Sequence, residues 1–189
     1  MSNKMSLKSI FLWAMIGLFT IGGVLGSLFF LLGSFGQLQL RILGTVFSLA
    51  IFSLLAMISA GNMSKKSIEG ILGVFGIGAS IAAAVLVQPI IWDFWDSTEL
   101  QFKPVAIASV VSFAVAHAVL VLGEAKSSLL RVIMWTTLGL IATVSILLIT
   151  AILNRNFLSS DIIVKLIGFF GVLDVAGTVI TFLMRKLSK

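Results

Sequence analysis

Six apolar stretches, at about residues 9–33, 38–61, 68–92, 104–123, 129–153 and 162–184, follow one another with short connections. Each matches the roughly 20 residues a helix needs to cross a hydrocarbon core of about 30 Å. Inside lipid every backbone N–H and C=O must be satisfied within the segment, so continuous apolar runs of this length mean helices. They lack the period-two alternation of a membrane β-barrel. With 59% hydrophobic and 11% charged residues, the composition lies far from the roughly 45–50% and 25% of soluble domains. The expected fold is therefore an all-α integral membrane protein, six transmembrane helices in one bundle, forming a single polytopic domain over 1–189.

The charge pattern bears on orientation. The net charge of +6 would suggest nucleic acid in a soluble protein, but here it is better explained as loop charge that sets topology, and no nucleic-acid partner is expected. Lys4, Lys8, Lys65, Lys66, Lys126, Arg131, Arg185, Lys186 and Lys189 fall on one side of the six spans; Arg41, Lys103, Arg155 and Lys165 fall on the other. The richer side is expected to be cytoplasmic, with both termini inside, in the plasma (inner) membrane of a bacterium. The first apolar run exceeds the 7–15 residues of a signal peptide, so it is expected to stay as a span. Trp92 and Trp95 suit an aromatic belt at the opposite interface.

ILGVFGIGAS at 71–80 can be laid on LIGFFGVLDV at 166–175, with Gly73 and Gly76 over Gly168 and Gly171. Residues 1–97 and 98–189 would then be two three-helix halves. An odd number of crossings per half gives opposite orientations, the inverted-repeat arrangement of many transporters.

Asp174 is the residue that most needs explaining. It lies 12 residues into the last span, near mid-membrane, where a charged side chain costs about 2.5–3.5 kcal/mol and should face the bundle or water. Gly171, Asp174, Thr178, Thr181 and Arg185 recur at spacings of three and four, one small or polar stripe on the helix. His117, the only histidine, is expected at nearly the same depth in the fourth span, and Glu124 follows on the same face toward its end. If spans four and six touch, the imidazole offers Asp174 partial charge compensation. Asp174, His117 and Glu124 are therefore candidates for a proton or ion relay. The alternative is that the acid and the histidine are hydrogen-bonding groups between packed helices.

Other polar patterns read as packing. Arg41, Thr45, Ser48 and Ser59 in the second span, and Thr136, Gly139, Thr143 and Thr150 in the fifth, suggest interhelical faces. Gly22-x-x-x-Gly26, Gly78-x-x-x-Ala82 and Ala108-x-x-x-Ser112-x-x-x-Ala116 permit close backbone approach. Cysteine is absent, and one histidine supplies neither bis-histidine haem ligation nor a multi-histidine metal site. The chain lacks G-x-S-x-G, H-E-x-x-H and phosphate-loop motifs. Neither a catalytic site nor a cofactor is expected. The leading functional expectation is an interaction or assembly role in a membrane complex or homo-oligomer, with lipid, other subunits or a second copy as partners. The alternative is a small transporter or ion-conducting protein using Asp174.

Overall fold

The computed structural model describes residues 6–33, 36–61, 63, 68–93, 99–123, 125, 127–154 and 161–187. Their secondary structure is entirely helical: α1 (Leu7–Leu31), α2 (Gln37–Ala60), α3 (Ile68–Ile91), α4 (Glu99–Val121), α5 (Ser128–Leu153) and α6 (Asp161–Leu187). Among the described residues six helices are long and apolar enough to span a membrane, which makes this an integral membrane protein by length and composition.

Local chemistry accounts for the helix ends. Ser6 accepts from the Ser9 amide at 3.2 Å and Ser127 from the Leu130 amide at 3.1 Å, so α1 and α5 begin on hydroxyl caps. Gly33, at φ +64°, turns the chain out of α1, where a side chain would be strained. Asp93 follows α3 at φ +50°, and its carboxylate receives the Arg41 guanidinium from the start of α2. In α6, Asp161 sits in the first turn and Arg185 and Lys186 in the last, each sign matched to the helix dipole. α4 starts earlier than its apolar run: Pro104 lies inside the helix rather than opening it.

The chain divides into two compact units, Met1–Ser112 and Phe113–Lys189, and the division falls within α4. In the first unit α1 packs on α2 and α2 on α3. Gly22 of α1 receives Val46 and Phe47, and Gly26 receives Leu43, so this G-x-x-x-G pair serves the α1–α2 contact. The buried face of α3 is Gly70, Gly73, Gly76, Ser80 and Ala83. A Cβ on Gly73 would stand 2.7 Å from the Ser59 carbonyl oxygen, so glycine there lets two backbones meet. The α2 stripe faces α3 as a polar ladder: besides the Arg41–Asp93 pair, Trp92 Nε1 donates to Thr45 Oγ1 at 2.9 Å and Gln88 Nε2 to Ser48 Oγ at 3.2 Å. Ser80 and Ser112, both buried, join their hydroxyls at 2.7 Å.

In the second unit α5 packs on α6, and Val121, Met134 and Ile141 form a core with Ala114, Ala118 and Leu138 around it. The buried face of α5 is Leu130, Met134, Thr137, Ile141 and Ala151. The expected stripe does not lie on that face: Thr136 and Gly139 are exposed and Thr143 is half-buried. Bulky Leu130, Met134 and Ile141 occupy the inward side because apolar volume fills a core better than glycine and threonine do.

Candidate functional site

The last two-thirds of α6 carries its polar groups inward. Asp174, Thr178, Thr181 and Arg185 repeat every three or four residues, so the 3.6-residue period sets them on one side while Val172, Val175, Val179 and Phe182 stay exposed. Asp174 is only 8% exposed and Thr181 fully buried.

α4 brings His117 to this face. Its Nε2 lies 2.8 Å from Thr178 Oγ1, a hydrogen bond, and its Nδ1 lies 3.5 Å from Asp174 Oδ2, a longer contact that is electrostatic first. The imidazole thus stands between the carboxylate and a hydroxyl one helical turn further on. The other carboxylate oxygen, Asp174 Oδ1, is buried and has no hydrogen-bond partner among the described residues. An unmatched buried acceptor carries a desolvation cost, which makes this the least satisfied point of the cluster.

Two further contacts hold the helices around the pair. Gly177 passes so close to α5 that a Cβ there would overlap the Thr137 hydroxyl, with Thr137 Cβ and Cγ2 at 3.3 Å. Thr137 and Thr181 turn their hydroxyls onto their own helices, donating to Ile133 O at 2.9 Å and Gly177 O at 2.8 Å. At the end of α6, Arg185 donates to the Leu120 carbonyl at 3.3 Å and to the Val121 carbonyl, two groups that the end of α4 leaves without intrahelical partners. The guanidinium also sits over Gly123, where a Cβ would be 3.0 Å from Arg185 Cζ. A cation at a helix C-terminus is favoured by the dipole as well as by these bonds.

Of the residues singled out by sequence, His117, Asp174 and Thr178 are brought together, and Thr181 lies on the same buried face. Gly171 is different: nothing lies within 4 Å of a Cβ built there. Glu124 lies outside the described residues. Gly177 and Thr137 were missed, although the signal for Gly177 was present. Positions 174, 177 and 181 keep the helical period as well as 174, 178 and 181 do, and a glycine there marks close approach. Thr137 was hidden by its neighbour Thr136, which fitted a more regular stripe. Among the described residues no group of three or more His, Asp and Glu side chains converges in the arrangement a metal ion would need. The cluster is suited to holding and passing a proton, or to binding helices together.

No protein-family model, curated protein or solved structure matches this chain.

Proposed function

We propose that this chain is an assembly subunit: a six-span protein of a bacterial inner membrane, both termini cytoplasmic, that packs against other membrane subunits or a second copy of itself. The observation that carries this reading is that α5 and α6 each leave small residues uncovered. Thr136 and Gly139 of α5 are exposed, and no atom lies within 4 Å of a Cβ built at Gly139, Gly168 or Gly171. Helices in lipid associate through small residues that let backbones approach, since lipid tails are as apolar as leucine and burial alone gives no driving force. The burial of Asp174 against α4 supports the same reading, because a carboxyl held between helices acts as a tie within the bundle.

Native mass spectrometry after gentle extraction should recover a partner or a defined oligomer, and Gly139→Leu together with Gly168→Leu should dissociate it while each chain stays folded. A clean monomer at native expression level would remove the reading. The orientation has its own check. In this cysteine-free chain, cysteines placed at Ser64 and Ser97 should label from opposite sides of the membrane.

A second reading is favoured by the contact between His117 and Asp174: a small proton- or cation-conducting protein with this pair as the coupling group. Asp174→Asn in liposomes should then abolish pH-gradient-driven flux, and undiminished flux would exclude the role.

A further inference from the structure

Thr178 departs from the commonest hydroxyl pattern in these helices. Thr20, Ser27, Thr143, Thr150 and Thr181 each donate to the carbonyl four residues earlier, at 2.8–2.9 Å, the bond a hydroxyl in an apolar helix makes by default. Thr178 instead bonds His117 Nε2 across to α4. Its own carbonyl four residues back is that of Asp174, the residue whose side chain faces the other nitrogen of the same imidazole.

We infer that His117, Asp174 and Thr178 form a single-proton binding site in which Thr178 sets the tautomer of the imidazole. In the resting form Nδ1 carries the ring proton and directs it at Asp174 Oδ2, while Nε2 accepts the Thr178 hydroxyl. A neutral imidazole has one donor and one acceptor nitrogen, and the carboxylate accepts only, so this is the tautomer that turns a donor toward Asp174 and an acceptor toward Thr178. When a proton enters, it adds to the Nε2 lone pair. Thr178 Oγ1 then accepts from Nε2–H, and its hydroxyl proton turns to the Asp174 backbone carbonyl, the default partner it otherwise forgoes. No bond between heavy atoms changes, and the site passes from a net negative charge to formal neutrality.

Among the described residues the charged and titratable groups around the ring are few. α4 contributes His117 itself, α6 contributes Asp174 and, beyond it, Arg185 at the end of α4, and the buried face of α5 presents Met134, Thr137 and Ile141. The switch therefore lies in the His117–Asp174 pair and the Thr178 hydroxyl. The inference holds whether or not the site supports flux, since it concerns where one proton sits.

The experiment exploits the single histidine. Nitrogen-15 NMR of the full chain in lipid bilayers, labelled at histidine, reports one imidazole without ambiguity. At neutral pH the expected spectrum has a protonated Nδ1 and an unprotonated, hydrogen-bonded Nε2. Thr178→Val should lower the ratio of Nδ1–H to Nε2–H tautomer by about tenfold, as loss of one buried hydrogen bond implies, and Thr178→Ser should restore it. A wild-type spectrum dominated by the Nε2–H tautomer would overturn the inference, and it needs no variant to fold. So would a folded Thr178→Val chain whose two nitrogen resonances and titration match the wild type. Because the readout is spectroscopic, a failed flux assay leaves this result standing, and an abolished tautomer preference leaves the assembly reading standing.

Discussion

α3 and α6 carry glycines at a similar spacing, Gly73 and Gly76 in one and Gly168 and Gly171 in the other, and they use them differently. α3 buries Gly70, Gly73, Gly76 and Ser80, and at Gly73 α2 approaches until backbone meets backbone. α6 leaves Gly168 and Gly171 open, with nothing near a Cβ at either, meets α5 at Gly177, and buries a carboxyl and a threonine as well. The polar groups differ accordingly. Ser80 satisfies itself on Gly76 O and Ser112, short neutral bonds that leave no charge to compensate. Asp174 needs a partner from another helix, and α4 supplies an imidazole. Where packing comes from backbone proximity, small neutral residues suffice; where one acid must be held in an apolar setting, a second helix has to be built around it.

The same substitution at aligned glycines is the strongest way to break this contrast. Gly73→Leu should destabilise the fold by about 1–3 kcal/mol or more, because the new side chain collides with main-chain atoms of Ser59 and Met63 that cannot rotate away. Gly168→Leu should leave unfolding of the isolated chain nearly unchanged. Reversible unfolding in mixed detergent micelles measures both, and equal losses would show that the two helices pack alike.

The next effect is smaller and belongs to α6. His117→Ala should cost about 1–2 kcal/mol in the same assay, since the hydrogen bond to Thr178 and the electrostatic contact with Asp174 are lost together. Asp174→Leu combined with His117→Ala should recover part of that loss, because a buried polar group left alone is worse than an apolar pair. A double variant no better than His117→Ala would mean the carboxyl has another partner.

The smallest effect sharpens the other side of the comparison. Ser80→Ala and Ser112→Ala should show a coupling of about 0.6 kcal/mol in a double-mutant cycle, the value typical of neutral bonds between membrane helices. A coupling as large as that of His117 with Asp174 would erase the distinction between the two regions.

The polar stripe of α6 was legible because a helical period and an acid in an apolar span leave one reading of which side faces inward. That His117 would meet this stripe was legible only as a condition: matching depth makes contact feasible, whereas contact requires α4 to present that face to α6. The stripe on α5 shows the limit. Thr136, Gly139 and Thr143 form a regular pattern, yet Thr137 is the buried threonine, since the larger apolar side chains of α5 determine which way the helix turns. Likewise the glycines at 73 and 168 look equivalent in sequence, and only their neighbours separate them.

By itself the sequence determined the six membrane-length helices, because apolar runs of that length have one backbone solution in lipid, and it marked Asp174 as a residue that must be sheltered. Tertiary structure alone decided that the shelter is His117 and Thr178, that Gly177 is the point where α6 touches α5, and that Arg185 closes the end of α4. Those outcomes depend on helix rotation and register. In a chain this uniformly apolar, hydrophobicity constrains neither, and they are settled by which side chains interlock.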